Sequence, residues 1–158
     1  MLRNALLWAS ANPAMAEKLP RMHFVQKATK RFMPGEELGD ALRGAATLGE
    51  AGIKSTVTLL GENVEAHAEA DAVVTEYVAA LRKVADSELD TEVSVKLTQL
   101  GLDFGVAEAT ERLGRIAEST ASLVWVDMEG SDTVDDTLKV FRAVKERAGN
   151  VGLCIQSY

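Results

Sequence analysis

Cysteine is nearly absent from this chain, with Cys154 alone among 158 residues. One thiol forms no internal disulfide and leaves no cysteine cluster for structural zinc, which points to a reducing compartment. Proline is almost as scarce, and Pro13, Pro20 and Pro34 all fall in the first part of the chain. Apolar runs never exceed a few residues, which excludes a membrane-spanning helix. The apolar stretch at residues 5–9 is too short for the core of a secretory signal. Several motifs are missing as well: Gly-x-Gly-x-x-Gly, the Walker phosphate loop and the nucleophile elbow. The run DMEGSDTVDD at residues 127–136 resembles a calcium loop only at a glance. Its glycine is fourth rather than sixth, and the closing glutamate is absent. His23 and His67 lie in helical text without matching ligands, so no metal site is expected.

What remains is ordinary globular composition, 47% hydrophobic and 26% charged, in a length that suits one domain. The net charge of −7 argues against nucleic-acid binding through a basic surface. That charge is unevenly spread. Residues 1–33 carry six basic groups against the single acid Glu17, while the remaining 125 residues carry eleven basic and twenty-three acidic ones. A basic, acid-poor lead-in reads as a solvated helical arm, with a transit peptide or a membrane-surface helix as the other readings.

The arm is broken near Asn12-Pro13 and at Pro20, and Pro34-Gly35 punctuates the chain. Leu38, Leu42, Ala45 and Leu48 then recur at helical spacing, with Glu36 and Glu37 where the helix dipole favours acids and Gly52 as a left-handed stop. From there strand and helix alternate. Residues 53–60 (IKSTVTLL) read as a strand. A helix capped by Asn63 follows, with Val74, Tyr77, Leu81 and Val84 on one face. Residues 93–97 are a second strand, followed by a helix carrying Val106, Leu113 and Ile116. Residues 123–126 are a third strand. Ser131 or Asp132 caps the next helix, striped by Val134, Leu138, Phe141 and Val144, and residues 151–155 close the series. Such alternation predicts a parallel α/β sheet with crossover helices, its strands apolar on both faces and Cys154 in the core. The expected organisation is a helical arm at 1–51 and the strand–helix units at 52–158.

Polar residues stand where the strands stop: Thr58, Lys96, Asp127 and Gln156. Lys96 and Asp127 are 31 residues apart, and Asp127 and Gln156 are 29 apart, about one strand–helix unit each. Ligands of parallel α/β folds bind at the carboxyl ends of strands. A cation, a carboxylate and an amide in register therefore read as one wall of a site. Taken singly, each has a plainer role: a snorkelling lysine, a loop-capping aspartate, a solvated tail.

The motifs VKLTQLG (95–101), VDME (126–129) and IQSY (155–158), with LLGE at 59–62, resemble the strand-end motifs of flavin-dependent proline dehydrogenase. Their order and spacing match across nearly the whole chain. The resemblance implies the first half, about four strands, of a TIM-type (βα)8 barrel preceded by N-terminal helices, with FAD bound over the strand ends. It implies Lys96 as the substrate-carboxylate ligand, Asp127 as the acidic residue among the catalytic groups, and Met128 and Gln156 as contacts to the isoalloxazine ring. The implied reaction oxidises L-proline to 1-pyrroline-5-carboxylate and passes electrons on to a quinone, in a cytoplasmic protein that touches the inner membrane peripherally. Thr58 departs from the family, which has an aspartate there. Because a barrel needs eight strands, the expectation is a fragment that requires the missing second half or a homo-oligomer. Two other readings stand beside it: a truncated, non-catalytic remnant of the family, and a Schiff-base lyase with Lys96 as nucleophile.

Overall fold

A computed structural model describes residues 35, 37–61 and 64–157. The expectations placed on the basic arm, on His23, Pro34, Glu36, Glu62, the Asn63 cap and Tyr158 lie outside them. The chain divides into two units, residues 1–44 and 45–158, and the second holds everything that follows α1.

Helix α1 spans Leu38–Glu50. It ends where Gly52 takes a left-handed φ of +73°, which lets the Ile53 amide donate back to the Leu48 carbonyl at 3.0 Å. After it come β1 (Ser55–Thr58), α2 (His67–Asp86), β2 (Thr91–Lys96), a 3-10 turn (Leu102–Phe104), α3 (Val106–Glu118), β3 (Val124–Asp127), α4 (Val134–Ala148) and β4 (Val151–Cys154). The strands form one parallel sheet in the order β1-β2-β3-β4. Sequential neighbours joined by helical crossovers are what successive units of a (βα)8 barrel produce, so the sheet has the architecture of a partial barrel.

Helices α2, α3 and α4 pack on one face of the sheet. Val93 pairs with Val124 and Val124 with Val151, so strand alternation puts Val93, Val95, Val124, Val126 and Val151 on that face. All are buried against Val74, Tyr77 and Leu81 of α2, Leu113 and Ile116 of α3, and Val140 and Val144 of α4. The expected stripe of α2 is buried at every position. The opposite face corrects the expectation of strands apolar on both sides. It carries Thr56, Thr58, Glu92, Ser94, Lys96, Trp125, Asp127, Gly152 and Cys154. Cys154 is exposed rather than in the core, because it falls on the face opposite to the one that holds Val151 and Leu153.

Helix starts also differ from the sequence reading. The N-cap of α2 is Ala66, which has no side-chain acceptor. Glu69 compensates by reaching back to accept from the Glu65 and Ala66 amides at 2.8 and 3.3 Å. Thr133, not Ser131 or Asp132, is the N-cap of α4. The buried positions of α4 are Thr137, Val140 and Val144. Val134, Leu138 and Phe141 are only partly covered, because the stripe is rotated toward α3 and β4.

Polar ties complete the frame. Arg112 of α3 is 6% exposed. It donates to Asp71 Oδ1 at 2.9 Å, to the Leu100 carbonyl at 3.2 Å and to the His67 carbonyl at 3.5 Å. The Asn150 amide donates to the carbonyls of Ala117, Thr120 and Ser122 at 2.9, 2.9 and 3.1 Å, closing the C-terminal end of α3.

On the open face, Trp125 Nε1 donates to Glu92 Oε2 at 2.6 Å, and the indole lies across Gly152. A β-carbon at Gly152 would sit 2.6 Å from two of its ring carbons. Gly152→Ala therefore has to push the indole aside and strain its bond to Glu92. The expected loss is about 1–3 kcal/mol of unfolding free energy, read by equilibrium denaturation.

Candidate functional site

The parallel ladder decides which polar side chains meet. Lys96 is the partner of Asp127 and Asp127 the partner of Cys154, so the three form one row across the carboxyl ends of β2, β3 and β4. Neighbouring strands lie about 4.8 Å apart, which brings the side chains of such a row within reach of one another. Thr58, Ser94, Trp125 and Gly152 form the row beneath it.

The upper row opens into a cavity of about 530 Å³, within the range of small-ligand sites. Lys96, Asp127, Met128 and Gln156 all line it, and so do Glu129 and Cys154. The structure therefore brings the four sequence-derived site residues to one cavity. Lys96, Asp127 and Met128 are half-buried, and Gln156 is exposed. Thr58 is exposed on the row beneath, its hydroxyl 3.5 Å from the Tyr77 hydroxyl.

Three side chains extend the ladder beyond its last backbone bonds. The Gln156 amide donates to the Met128 carbonyl at 2.9 Å, and the Met128 amide donates to the Cys154 carbonyl at 3.2 Å, which ties the ends of β3 and β4. Glu129 ties β3 to β2. One of its carboxylate oxygens accepts from the Thr98 amide at 3.0 Å and the other from the Thr98 hydroxyl at 2.7 Å. Gln99 ties β2 to β1 by donating to the Leu59 carbonyl at 3.1 Å, while its oxygen accepts from the Tyr77 hydroxyl at 3.3 Å. Thr98 and Gln99 are both buried, and leaving one buried donor of this kind without a partner costs about 1–3 kcal/mol.

Sequence reasoning assigned no role to Thr98, Gln99 or Glu129. A signal for one pair was present: Thr98 and Glu129 are 31 residues apart, the same interval as Lys96 and Asp127. For Gln99 no spacing signal existed, since its partner is a backbone carbonyl.

The electrostatics follow burial and charge. Desolvation pushes the Tyr77 phenol above its ordinary pKa, and the Asp127 charge adds to the rise. The Cys154 thiol is also raised, first by desolvation and then by the neighbouring Asp127 carboxylate. Among the described residues no cluster could hold a metal ion, and no helix is long and apolar enough to cross a membrane. Chemically, the cavity wall offers a cation for an anionic ligand, a carboxylate as hydrogen-bond or proton acceptor, and, in Gln156, an amide that both donates and accepts.

Comparison with known proteins supplies the relatives. Residues 41–158 match the family model described as proline dehydrogenase. The chain is 30% identical to Proline dehydrogenase 1 of Bacillus subtilis subsp. natto over 161 residues, covering 100% of this chain and 53% of that protein. To Proline dehydrogenase 2 of Bacillus subtilis (strain 168) it is 28% identical over 144 residues, 89% of this chain and 48% of that protein. The chain thus spans about half the length of the curated relatives it matches. Among solved structures, proline utilization A (PutA) from Bdellovibrio bacteriovorus, inactivated by N-propargylglycine, is similar in fold with a TM-score of 0.74. The identity is 23%, over 85% of this chain and 17% of that one.

The adjacency of Asp127 and Cys154 has a measurable outcome. The raised thiol stays protonated at neutral pH and is alkylated slowly. Asp127→Asn removes the neighbouring negative charge, so the thiol pKa falls and iodoacetamide reacts faster at a fixed pH near 8. An unchanged rate profile would mean that the Asp127 charge does not act on the Cys154 thiol.

Proposed function

We propose that this chain, which belongs to the proline dehydrogenase family, carries the strand-end half of a site that oxidises L-proline to 1-pyrroline-5-carboxylate with FAD. The observation that supports this reading is the register that sets Lys96 beside Asp127 at the mouth of a cavity shared with Met128 and Gln156.

The donor set fits the ring end of the cofactor and a small imino acid. The Gln156 amide, between donor and acceptor chemistry, suits the pyrimidine edge of a flavin, and Met128 supplies a polarisable surface beside it. Bound there, FAD would accept the hydride released from the substrate carbon next to nitrogen. Lys96 holds the proline carboxylate, a pairing that strengthens as the cavity dries. Asp127 orients the Lys96 ammonium and takes the proton that leaves the ring nitrogen as the C=N bond forms. Electrons then pass to a quinone. Peripheral contact of this cytoplasmic protein with the inner membrane is assigned to the basic residues of 1–33, among them Lys27, Lys30 and Arg31, which lie outside the described residues.

The sheet itself calls for a partner. β1 and β4 are its edges. Leu60 and Ile155, just past their ends, are 73% and 74% exposed, and open parallel edges invite pairing. Further strands, from a complementary segment or a second copy, are proposed to close the barrel and complete the grip on the carboxylate. Sedimentation should therefore report self-association or capture of a complementary half. A compact monomer with cooperative unfolding would overturn that part.

Thr58 ends β1 where the family resemblance implies an acid, and this favours the second reading of a family member without catalysis. Flavin titration separates the two. Under the primary reading the protein, with its sheet edges closed by a partner, quenches flavin fluorescence and reduces an artificial dye when given L-proline. Lys96→Met then raises the KM for proline by about tenfold or more, the loss of a charge-assisted hydrogen bond. Flavin binding without turnover supports the second reading, and no flavin binding removes the first.

A further inference from the structure

The backbone ladder between β2 and β3 ends at the Lys96–Asp127 pair. Two residues further along each strand, on the same face, the partners would be Thr98 and Glu129, and there the bond is made by a side chain. The Thr98 amide donates to Glu129 Oε2 at 3.0 Å and the Thr98 hydroxyl to Glu129 Oε1 at 2.7 Å. Thr98 is only 7% exposed, and its loop is otherwise closed by its own turn, with the Leu100 and Leu102 amides donating to the Leu97 carbonyl at 3.0 and 2.9 Å. The Glu129 carboxylate is thus the cross-strand bond on the loop side of Lys96 and Asp127, while Val95 and Val126 hold the strand side through the ladder.

We infer that Glu129 is a positioning residue that fixes the separation and orientation of the Lys96–Asp127 pair. It lines the cavity, and each of its oxygens already accepts a bond from Thr98, so we assign its effect on a ligand to the two strand ends it joins. A carboxylate suits the task because it accepts two donors from one residue in a fixed plane, and such charge-assisted bonds are shorter and stronger than neutral ones. Without it, the loop after Lys96 and the loop after Asp127 move independently. The inference rests on the proposed function only for its kinetic consequence, since the geometry of the pair exists with or without turnover.

The test reads Lys96 directly. Competitive labelling of the lysine amines with an acid anhydride, followed by mass spectrometry, gives the rate at Lys96 relative to the exposed Lys83 in the same molecule. Glu129→Ala should raise that ratio by about threefold or more. Thr98→Val should raise it in the same direction, and the double variant should add little, as expected for two partners in one interaction. Glu129→Gln, whose oxygen still accepts from the Thr98 amide, should stay near wild type. If Glu129→Ala fails to fold, Thr98→Val, which removes only one donor, carries the test. A ratio at or below wild type in a folded Glu129→Ala or Thr98→Val variant overturns the inference. Where proline is turned over, Glu129→Ala should raise KM for proline more than it lowers kcat. Absence of turnover in the wild type counts against the proposed function alone, because the labelling ratio still decides the role of Glu129.

Discussion

Everything at the strand ends depends on parallel register. Because side chains alternate along a strand, a slip of one residue between β2 and β3 would exchange Lys96 for a neighbour that faces the helices. The valines prevent that slip. Val93, Val95, Val124, Val126 and Val151 are at most 1% exposed, and a shifted strand would turn each of them toward water. At about 25 cal/mol per Å² of apolar surface, exposing even two such side chains outweighs any single polar bond on the open face. The hydrophobic face, which has no chemistry of its own, thereby fixes the row in which Lys96, Asp127 and Cys154 meet.

The same reasoning explains which features could be read from the amino-acid order. The stripe Val74, Tyr77, Leu81, Val84 has a clean helical period and one buried face, so its position followed directly. The strand-end polar residues were legible because one strand–helix unit has a nearly constant length. The open face was harder. Residues 93–97 alternate valine with serine and lysine, yet the continuous apolar runs elsewhere suggested burial on both sides. Trp125 and Cys154 count as apolar by composition while facing away from the helices. Helix caps escaped for another reason: Ala66 has no side-chain acceptor, and the compensation by Glu69 comes from inside the helix. The bonds of Gln99 and Gln156 to backbone carbonyls leave no pairwise trace in sequence.

A common device links the four strand ends. Past the last ladder bond, each pair of neighbours is joined once more by a polar side chain: Gln99 to the Leu59 carbonyl, Glu129 to Thr98, Gln156 to the Met128 carbonyl. Strands of four to six residues supply few backbone bonds, and loops that carry ligands cannot also carry a hydrophobic core. Side-chain bonds stiffen such loops without filling the cavity. Gln156 serves in this series while keeping its place on the cavity wall, so support and recognition fall on the same residue.

The Arg112 guanidinium has a consequence for how the molecule breathes. One planar group faces the amino-terminal end of α2 through His67 and Asp71 and the turn after β2 through the Leu100 carbonyl. A fluctuation that pulls either segment away strands a nearly buried cation opposite the other, so the two segments are bound to open and reclose together. Amide exchange in the α2 amino terminus and in the turn that follows Thr98 would then share one opening event, a cooperative unit stitched across the sequence by a single side chain.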